Sequence, residues 1–410
     1  MTKTLFEIDT ALFCSALKLL KHGIKRSPFQ TLRNTLVTAD EETQTVMFYR
    51  VMDVLSNNFG YLKIVVGHGN AIVYDTATLL LDMDDKQFAI DTAIKKNAGS
   101  IVTSFDDDGT VRLWADGSSG NARTVKCKKG DVSEFPTMES DSEVEASYHT
   151  DIVPIYINTV KLIEAMKYAS DDTTRKEFQT VEIQHAEKGT PLFAATDGHR
   201  LAMIRCDEAG QCPKNFQTDH IPKDYKNVLT ALASESPDEA LGFWQTEKNS
   251  VLSATLPNGA HVRLWNRRLN VEFPDFTKVI PNNYEDGAKF ELPYGDLKLA
   301  SNACANDMKN INKTGTVQID YDTGTAKKKN KSGEISDAIL TFTVSRGKDT
   351  EHNMVAFNVA YIKDTIDTAI AIYGKRSPWS MHVIDPDYPA VVRCDDDGQL
   401  KLVVMPMMLI

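Results

Sequence analysis

The 410-residue sequence predicts an α+β chain built from three similar domains. Two observations carry that expectation. The same order of elements, a helix, strands, a second helix and more strands, can be traced three times along the chain. A landmark then marks the unit ends: Glu134-Phe135-Pro136 returns as Glu272-Phe273-Pro274 138 residues later, and Pro406 follows after another 132. A period of about 135 residues is an ordinary domain size, and it places boundaries near 146 and 285. The expected domains are 1–145, 146–284 and 285–410.

Each element has its own signal. Apolar residues recur at three- and four-residue steps in the first helix of each unit, 11–26, 159–169 and 294–313, as at Leu162, Met166 and Ala169. The second helices are expected at 86–97, 222–234 and 358–376, with Pro222 suited to a first helical turn. Alternating, β-branched runs at 179–184, 261–265, 316–321 and 338–344 read as strands. Asp108-Gly109, Asn258-Gly259 and Asp397-Gly398 read as tight turns. The lysine-rich 326–331, followed by Ser332-Gly333, reads as a mobile hairpin loop, and the acidic, serine-rich 139–147 as a linker. Val-Arg-Leu-Trp occurs at both 111–114 and 262–265, but out of phase with the Phe-Pro landmarks, so it is no part of the repeat.

Composition narrows the class. A hydrophobic share of 42% and a charged share of 25% are globular values and argue against disorder. No apolar run approaches the roughly 18–20 residues that span a bilayer, and the N-terminus lacks a signal peptide's long apolar stretch. A cytoplasmic protein is expected. The six cysteines at 14, 127, 206, 212, 304 and 394 show neither zinc-ligand spacing nor a disulfide framework, so free thiols and no metal site are expected. The nine histidines are dispersed.

The formal net charge of −11 is at first sight unsuited to nucleic acid, but the charge is unevenly placed. All six helix candidates are net positive, from +1 to +4, and together carry +10; the rest of the chain therefore carries −21. Lys18, Lys21, Lys25 and Arg26 in the first helix have no acidic neighbour within it. Helices that face phosphates, with an acidic surface elsewhere, would bind nucleic acid without reading its sequence. The candidate contacts are Lys18, Lys21, Lys25, Arg26, Lys95, Lys96, Lys161, Lys167 and Lys223.

The most distinctive segment is Thr196-Asp197-Gly198-His199-Arg200-Leu201-Ala202. Asp197-Gly198 interrupts two apolar runs, so a tight turn should deliver His199 and Arg200 onto a strand. An Asp-Gly-His triplet invites a catalytic reading, but no G-x-S-x-G elbow supplies a nucleophile and no neighbouring cluster supplies metal ligands. No catalytic residue is assigned.

The segment instead resembles the signature of the bacterial DNA polymerase III beta subunit, the beta sliding clamp family. Phe273-Pro274-Asp275-Phe276 with Val279-Ile280-Pro281 resembles that family's end-of-second-domain motif, and Val403-Val404-Met405-Pro406-Met407 its C-terminus. The resemblance runs the whole chain, with domain one the most divergent. It implies the DNA-clamp fold: three domains, each with two inner helices and outer antiparallel sheets, and two chains closing head to tail into a ring around duplex DNA. It also implies a groove for partner peptides. Carried over residue by residue, the groove takes Thr196, Gly198, His199, Arg200 and Leu201 from the signature, and Phe178 where leucine is usual. Pro274, Lys278 and Val279 come from the second motif, and Val403, Met405, Pro406 and Met407 from the terminus. Such a set is an adaptable apolar surface for short hydrophobic anchors.

The chain departs from the family at two places. Met408-Leu409-Ile410 stands where the family commonly ends in Met-Arg-Leu, so a positive rim residue is missing. At the implied dimer edge, Thr124-Val125-Lys126-Cys127 offers small side chains where larger apolar ones are usual. The expected function is a non-enzymatic processivity clamp without cofactor, whose partners are double-stranded DNA, DNA polymerase, a clamp loader and repair proteins, in a homodimer. No Walker A sequence is present. The alternatives are a phage- or plasmid-type scaffold recruiting other DNA-processing or transcription factors, and a nucleic-acid hydrolase using Asp197 and His199.

Overall fold

The computed structural model describes residues 3–23, 30–55, 58–67, 69–81, 99–107, 110–115, 123–126, 131–136, 154–186, 189–214, 216–237, 240–292, 297–310, 315–329, 335–345, 353–394 and 398–408. The expected helix at 86–97, the Asp108-Gly109 turn and the acidic linker 139–147 lie outside them, as do Lys25, Arg26, Lys95, Lys96 and Cys127. The chain separates into two compact units. One comprises residues 1–159, 213–216 and 224–269; the other comprises 160–212, 217–223 and 270–410.

Among the described residues, the first unit holds two antiparallel sheets. Its five-stranded sheet is ordered Ala71–Val73, Lys3–Asp9, Ser100–Phe105, Thr110–Ala115, Arg123–Lys126. Gln44 covers the Ala71–Val73 edge: its side-chain amide donates to the Val73 carbonyl and accepts from the Val73 N–H, replacing two ladder bonds. The helix Thr10–Leu20 begins where Asp9 accepts the Leu12 N–H at 2.9 Å. Leu12, Phe13, Ala16, Leu19 and Leu20, spaced on one face, are buried.

The eight-stranded sheet runs Ile155–Ile157, Leu241–Gln245, Asn249–Thr255, His261–Arg267, Asn58–Val66, Thr45–Leu55, Thr35–Asp40, Ala77–Leu81. It therefore joins strands of the expected first domain to strands of the second, with Leu264 opposite Leu62 at the seam. Gly60 is required beside that seam. A Cβ there would lie 1.9 Å from the hydroxyl oxygen of Tyr225, a buried ring whose hydroxyl donates to the Trp265 carbonyl at 2.7 Å.

The second unit repeats this plan. Its nine-stranded sheet is ordered Asp219–Pro222, Thr180–His185, Pro191–Thr196, Arg200–Arg205, Leu400–Val404, Ala390–Arg393, Ser380–Val383, Ala288–Glu291, Thr343–Ser345. It joins strands of the expected second and third domains. A four-stranded sheet follows the order Ile335–Thr341, Thr325–Lys329, Thr316–Asp320, Met354–Asn358. Alternation decides the faces of the large sheet. Val181, Ile183, Phe193, Ala202, Ile204, Leu402 and Val404 are buried on one side, while Glu182, Ala194, Leu201, Met203, Lys401 and Val403 lie on the other. Segment 270–287 crosses that second face. Phe273, Phe276 and Ile280 pack on Ala194, Leu201 and Val403, and the Tyr284 ring meets His382 edge-on.

The helices Leu297–Asn310 and Val359–Tyr373 pack together in this unit. Asn358 caps the second by accepting the Ala360 N–H at 2.9 Å, and Gly374, at φ +87°, ends it with a bond to the Ile370 carbonyl.

Several expected boundaries move. Pro222 ends a strand rather than opening a helix, because its register opposite Thr180 is taken by the sheet; the helix begins four residues later, at Lys226–Glu235. The first helix stops at Leu20 rather than 26, and 159–169 contracts to Thr159–Met166. The lysines 327–329, expected in a loop, form the strand Thr325–Lys329 opposite Thr316–Ile319. Alternation in 316–319 provides the partner that composition alone concealed. Asn258-Gly259 turns as expected, with Gly259 at φ +88° and Leu256 N–H bonded to the Ala260 carbonyl. Among the described residues no helix is long and apolar enough to cross a membrane.

The Gly60 contact has a measurable consequence. Gly60→Ala should cost about 1–3 kcal/mol in denaturant unfolding through overpacking, and Tyr225→Phe in the same chain should recover part of that loss. An unchanged midpoint for Gly60→Ala would mean that the seam does not need the glycine.

Candidate functional site

The Thr196–Ala202 motif is a hairpin turn between Pro191–Thr196 and Arg200–Arg205. Its shape comes from its own side chains. Thr196 Oγ1 donates to the Arg200 carbonyl at 2.7 Å and accepts the Gly198 N–H at 3.0 Å. Asp197 Oδ1 accepts the N–H groups of His199 and Arg200 at 2.9 and 3.0 Å. Gly198 takes φ +88°, where side chains are strained, and lies against Phe178: a Cβ at Gly198 would sit 3.4 Å from the Phe178 ring.

The C-terminal strand Leu400–Val404 pairs with Arg200–Arg205, setting Leu201 opposite Val403 and Arg200 opposite Val404. The chain then continues beside the turn, with Met405 N–H donating to the His199 carbonyl at 2.9 Å. Met407 N–H donates on to the Ala356 carbonyl at 2.8 Å, at the edge of the four-stranded sheet. The terminal residues are thus held to both sheets of the second unit. The third contributor is the short helical turn Phe276–Val279, begun by Asp275, which accepts from the Thr277 N–H and hydroxyl.

These elements bring most of the expected groove residues together. Leu201 and Val403 form one buried cluster with Ala194 and Phe276, bordered by Leu192, Met203, Phe273 and Ile280. Val279, Met405 and Met407 are 47%, 38% and 39% exposed, and Met408 is 85% exposed. Gly198 and His199 are exposed, Thr196, Pro274 and Pro406 half-buried. Lys278 is mostly exposed, 3.2 Å from the Asp275 carboxylate. Phe178 is buried, with the Arg175 guanidinium 3.7 Å above its ring. Arg175, Phe276 and Ile280 join the site without being among the expected groove residues. Phe276 and Ile280 lay within a recognised motif, and Arg175 was legible only as the residue one turn before Phe178.

Arg200 corrects the groove assignment. Adjacent strand residues face opposite ways, so with Leu201 in the cluster Arg200 must point to the other side of the sheet. There its guanidinium bonds Asp197 Oδ2 at 2.9 Å, the Lys167 carbonyl at 2.9 Å and the Asp364 carboxylate on the helix Val359–Tyr373. The rings of Tyr168 and Tyr361 lie 4.9 and 4.7 Å away. Burial opposes the charge on Arg200, but Asp364 and Asp197 outweigh it and hold the group above its ordinary range. Burial also pushes the Tyr168 and Tyr361 hydroxyls up. Arg200 fastens the turn from behind.

The same bonds bear on the hydrolytic alternative. Both Asp197 oxygens are engaged by the turn amides and Arg200, so this carboxylate is not placed as the orienting acid of His199. Among the described residues, no cluster of three or more His, Cys, Asp or Glu side chains could hold a metal ion.

The lysine candidates are placed unevenly. Lys21 is exposed, and Lys18 is half-exposed while paired with Glu235. Lys161 is corrected: it is 6% exposed, with its ammonium bonded to the Arg205 carbonyl, Glu208 and Gln399, so it is not free to meet a phosphate. Lys167 pairs with Glu164 at 2.6 Å, and Lys223 with Asp171 and the Ala169 carbonyl.

Beside the cluster, Glu182 is buried on the sheet face opposite His220, whose ring lies 6.3 Å from Phe273. Burial pushes Glu182 up to about 7. The folded chain thus holds this proton more tightly than the unfolded chain, whose carboxyl titrates near the ordinary value of 4.5. Stability must fall as pH rises between those two values. Glu182→Gln should therefore raise the thermal midpoint at pH 8 and leave it nearly unchanged at pH 4; an equal shift at both values would contradict a buried, protonated carboxyl. Independently, Arg200→Met leaves Asp197 and Asp364 without their partner and should cost about 3–5 kcal/mol in urea unfolding. A loss below about 1 kcal/mol would show the node to be dispensable.

No protein-family profile matches the chain. Among curated proteins it is similar to the beta sliding clamp of Synechocystis sp., at 23% identity over 288 residues, covering 63% of this chain and 68% of that protein. It is also similar to the beta sliding clamp of Synechococcus elongatus, at 21% identity over 305 residues, covering 70% and 73%. Among solved structures, the DNA polymerase III beta subunit of Thermotoga maritima superposes with a TM-score of 0.74 at 14% identity over 100% of both chains. The beta subunit from Streptococcus pyogenes superposes at 0.73 with 16% identity, again over 100% of both. The fold is the DNA-clamp fold, α+β, and the chain is similar to bacterial beta sliding clamps in sequence as well as in structure.

Proposed function

We propose that this chain is a processivity clamp that encircles duplex DNA and tethers DNA polymerase, together with other replication or repair proteins, through a hydrophobic peptide groove. The observation that carries the groove is the meeting of three distant segments on one sheet face. Leu201, Phe276 and Val403, one from each segment, share a buried cluster, and the same segments carry the exposed Val279, Met405 and Met407. Thioether side chains on a hydrogen-bonded backbone combine an adaptable surface with a fixed frame, which suits several partners sharing a short apolar motif.

The clamp reading makes the chain three domains, 1–145, 146–284 and 285–410, closed head to tail with a second copy. The chain itself is cytoplasmic and hydrolyses nothing, and a clamp loader opens and closes the ring. Phosphate contact is sequence-independent and weak. The described residue best suited to it is Lys21, with Lys25, Arg26, Lys95 and Lys96 as further candidates, while the paired Lys18, Lys167 and Lys223 would have to exchange a carboxylate for a phosphate.

Loading onto nicked circular plasmid by a bacterial clamp loader tests the reading. The chain should be retained on circles and released when they are linearised, with a solution mass twice the 45.6 kDa of one copy. Removal of residues 405–410 should abolish polymerase capture while the dimer persists. Retention that is indifferent to linearisation, or metal-dependent cleavage of the plasmid lost in His199→Ala, would overturn it.

A further inference from the structure

Methionine gathers where the groove meets solvent. Met405, Met407 and Met408 are 38%, 39% and 85% exposed. Met354, two residues before the Ala356 that binds Met407, is 42% exposed. Met166 and Met381, in contrast, are 1% and 0% exposed. A thioether is oxidised by hydroperoxides as far as its sulfur can be reached, and the product is polar and chiral.

Two features make this more than surface chemistry. The terminal backbone is held by the Met405 bond to His199 and the Met407 bond to Ala356, so oxidation changes the character of the surface without releasing the chain. In addition, Thr316 Oγ1 donates toward Met407 Sδ at 3.7 Å. A thioether accepts such a bond weakly, whereas a sulfoxide oxygen accepts strongly. The site already carries the donor that the oxidised form needs.

We propose that the methionine face of the groove, centred on Met407, is a reversible oxidation site that switches partner binding. A sulfur lone pair attacks the terminal oxygen of a hydroperoxide. The O–O bond breaks as the S–O bond forms, and the alcohol or water leaves with the proton. Sulfur loses two electrons and the peroxide gains them. Reversal takes two thiols of a sulfoxide reductase system, which become a disulfide while the oxygen departs as water. Oxidation replaces an apolar floor with a polar one, and hydrophobic anchors lose their contact. The proposal rests on the peptide-groove reading above.

The experiment uses the full chain, hydrogen peroxide and a fluorescein-labelled peptide carrying the clamp-binding segment of a bacterial replicative polymerase. Peptide mass spectrometry should find sulfoxide at Met405, Met407 and Met408 before Met166 and Met381. Anisotropy should show binding weakened about tenfold or more, the scale of one buried methionine side chain. Sulfoxide reductase with dithiothreitol should restore it. Because each reductase takes one epimer, wild-type Met407 sulfoxide should yield mainly to one enzyme, and that of Thr316→Val to both. The Met405→Leu/Met407→Leu chain, whatever its starting affinity, should lose nothing further on treatment. Unchanged binding with Met405 and Met407 fully oxidised would overturn the switch alone. Absence of binding before any peroxide is added would overturn the groove reading, and the switch with it.

Discussion

The candidate site depends on one strand pairing. Arg200–Arg205 and Leu400–Val404 lie nearly 200 residues apart in sequence, yet their ladder fixes which residues can share a surface. With Leu201 opposite Val403, a slip of one residue would turn Leu201, Met203 and Val403 to the helix side and bring Arg200 and Val404 out. The register is specified from both faces. On one side the apolar cluster under segment 270–287 accepts Leu201 and Val403; on the other, Asp197, Asp364 and the Lys167 carbonyl accept Arg200. Neither alone would be as decisive, because small apolar residues such as Ala194 and Ala202 can occupy either face.

That pairing also decides how much of this sheet face is left uncovered. A sheet face covered by a connecting segment is normally closed, and here Phe273, Phe276 and Ile280 close most of it. The terminus departs from the strand after Val404 and turns toward the edge of the four-stranded sheet, which leaves Met405 and Met407 exposed. The backbone bonds to His199 and Ala356 take up polar groups that would otherwise have to be solvated beside apolar side chains. What the terminus leaves at the surface includes the side chains of Met405, Met407 and Met408.

The sequence made some of this legible and hid the rest for physical reasons. Helices with caps and strands with clean alternation could be read, as at Val359–Tyr373 and His261–Arg267, because the signal is local. The turn at Thr196–Ala202 was legible as a turn because Asp197 and Gly198 carry its geometry in their own side chains and backbone. The facing of Arg200 required only the period of two, but a motif read as a block conceals that neighbours on a strand look opposite ways. Pro222 and the lysines of 327–329 were misplaced for a different reason. Their local character suits a helix start and a loop, and only pairing with Thr180 and with Thr316–Ile319 makes them strand. Propensity yields to a partner that the local window does not contain.

Charge shows the same limit more sharply. Counting lysines on helices gave a positive sum, but charge on an element is not charge offered to a ligand. Lys161 is turned inward to a carbonyl, a carboxylate and an amide, Lys167 is joined to Glu164 of the helix it follows, and Lys363 to Asp367 of its own helix. Ser301 on the facing helix also bonds Asp367, and Thr368 bonds Glu164. These groups serve first to lock helix to helix. A lysine already paired with a carboxylate gains little from a phosphate, because one ionic partner replaces another. On the clamp reading proposed above, low residual attraction suits a ring that moves along DNA, and the acidic partners within the second unit's helices supply it.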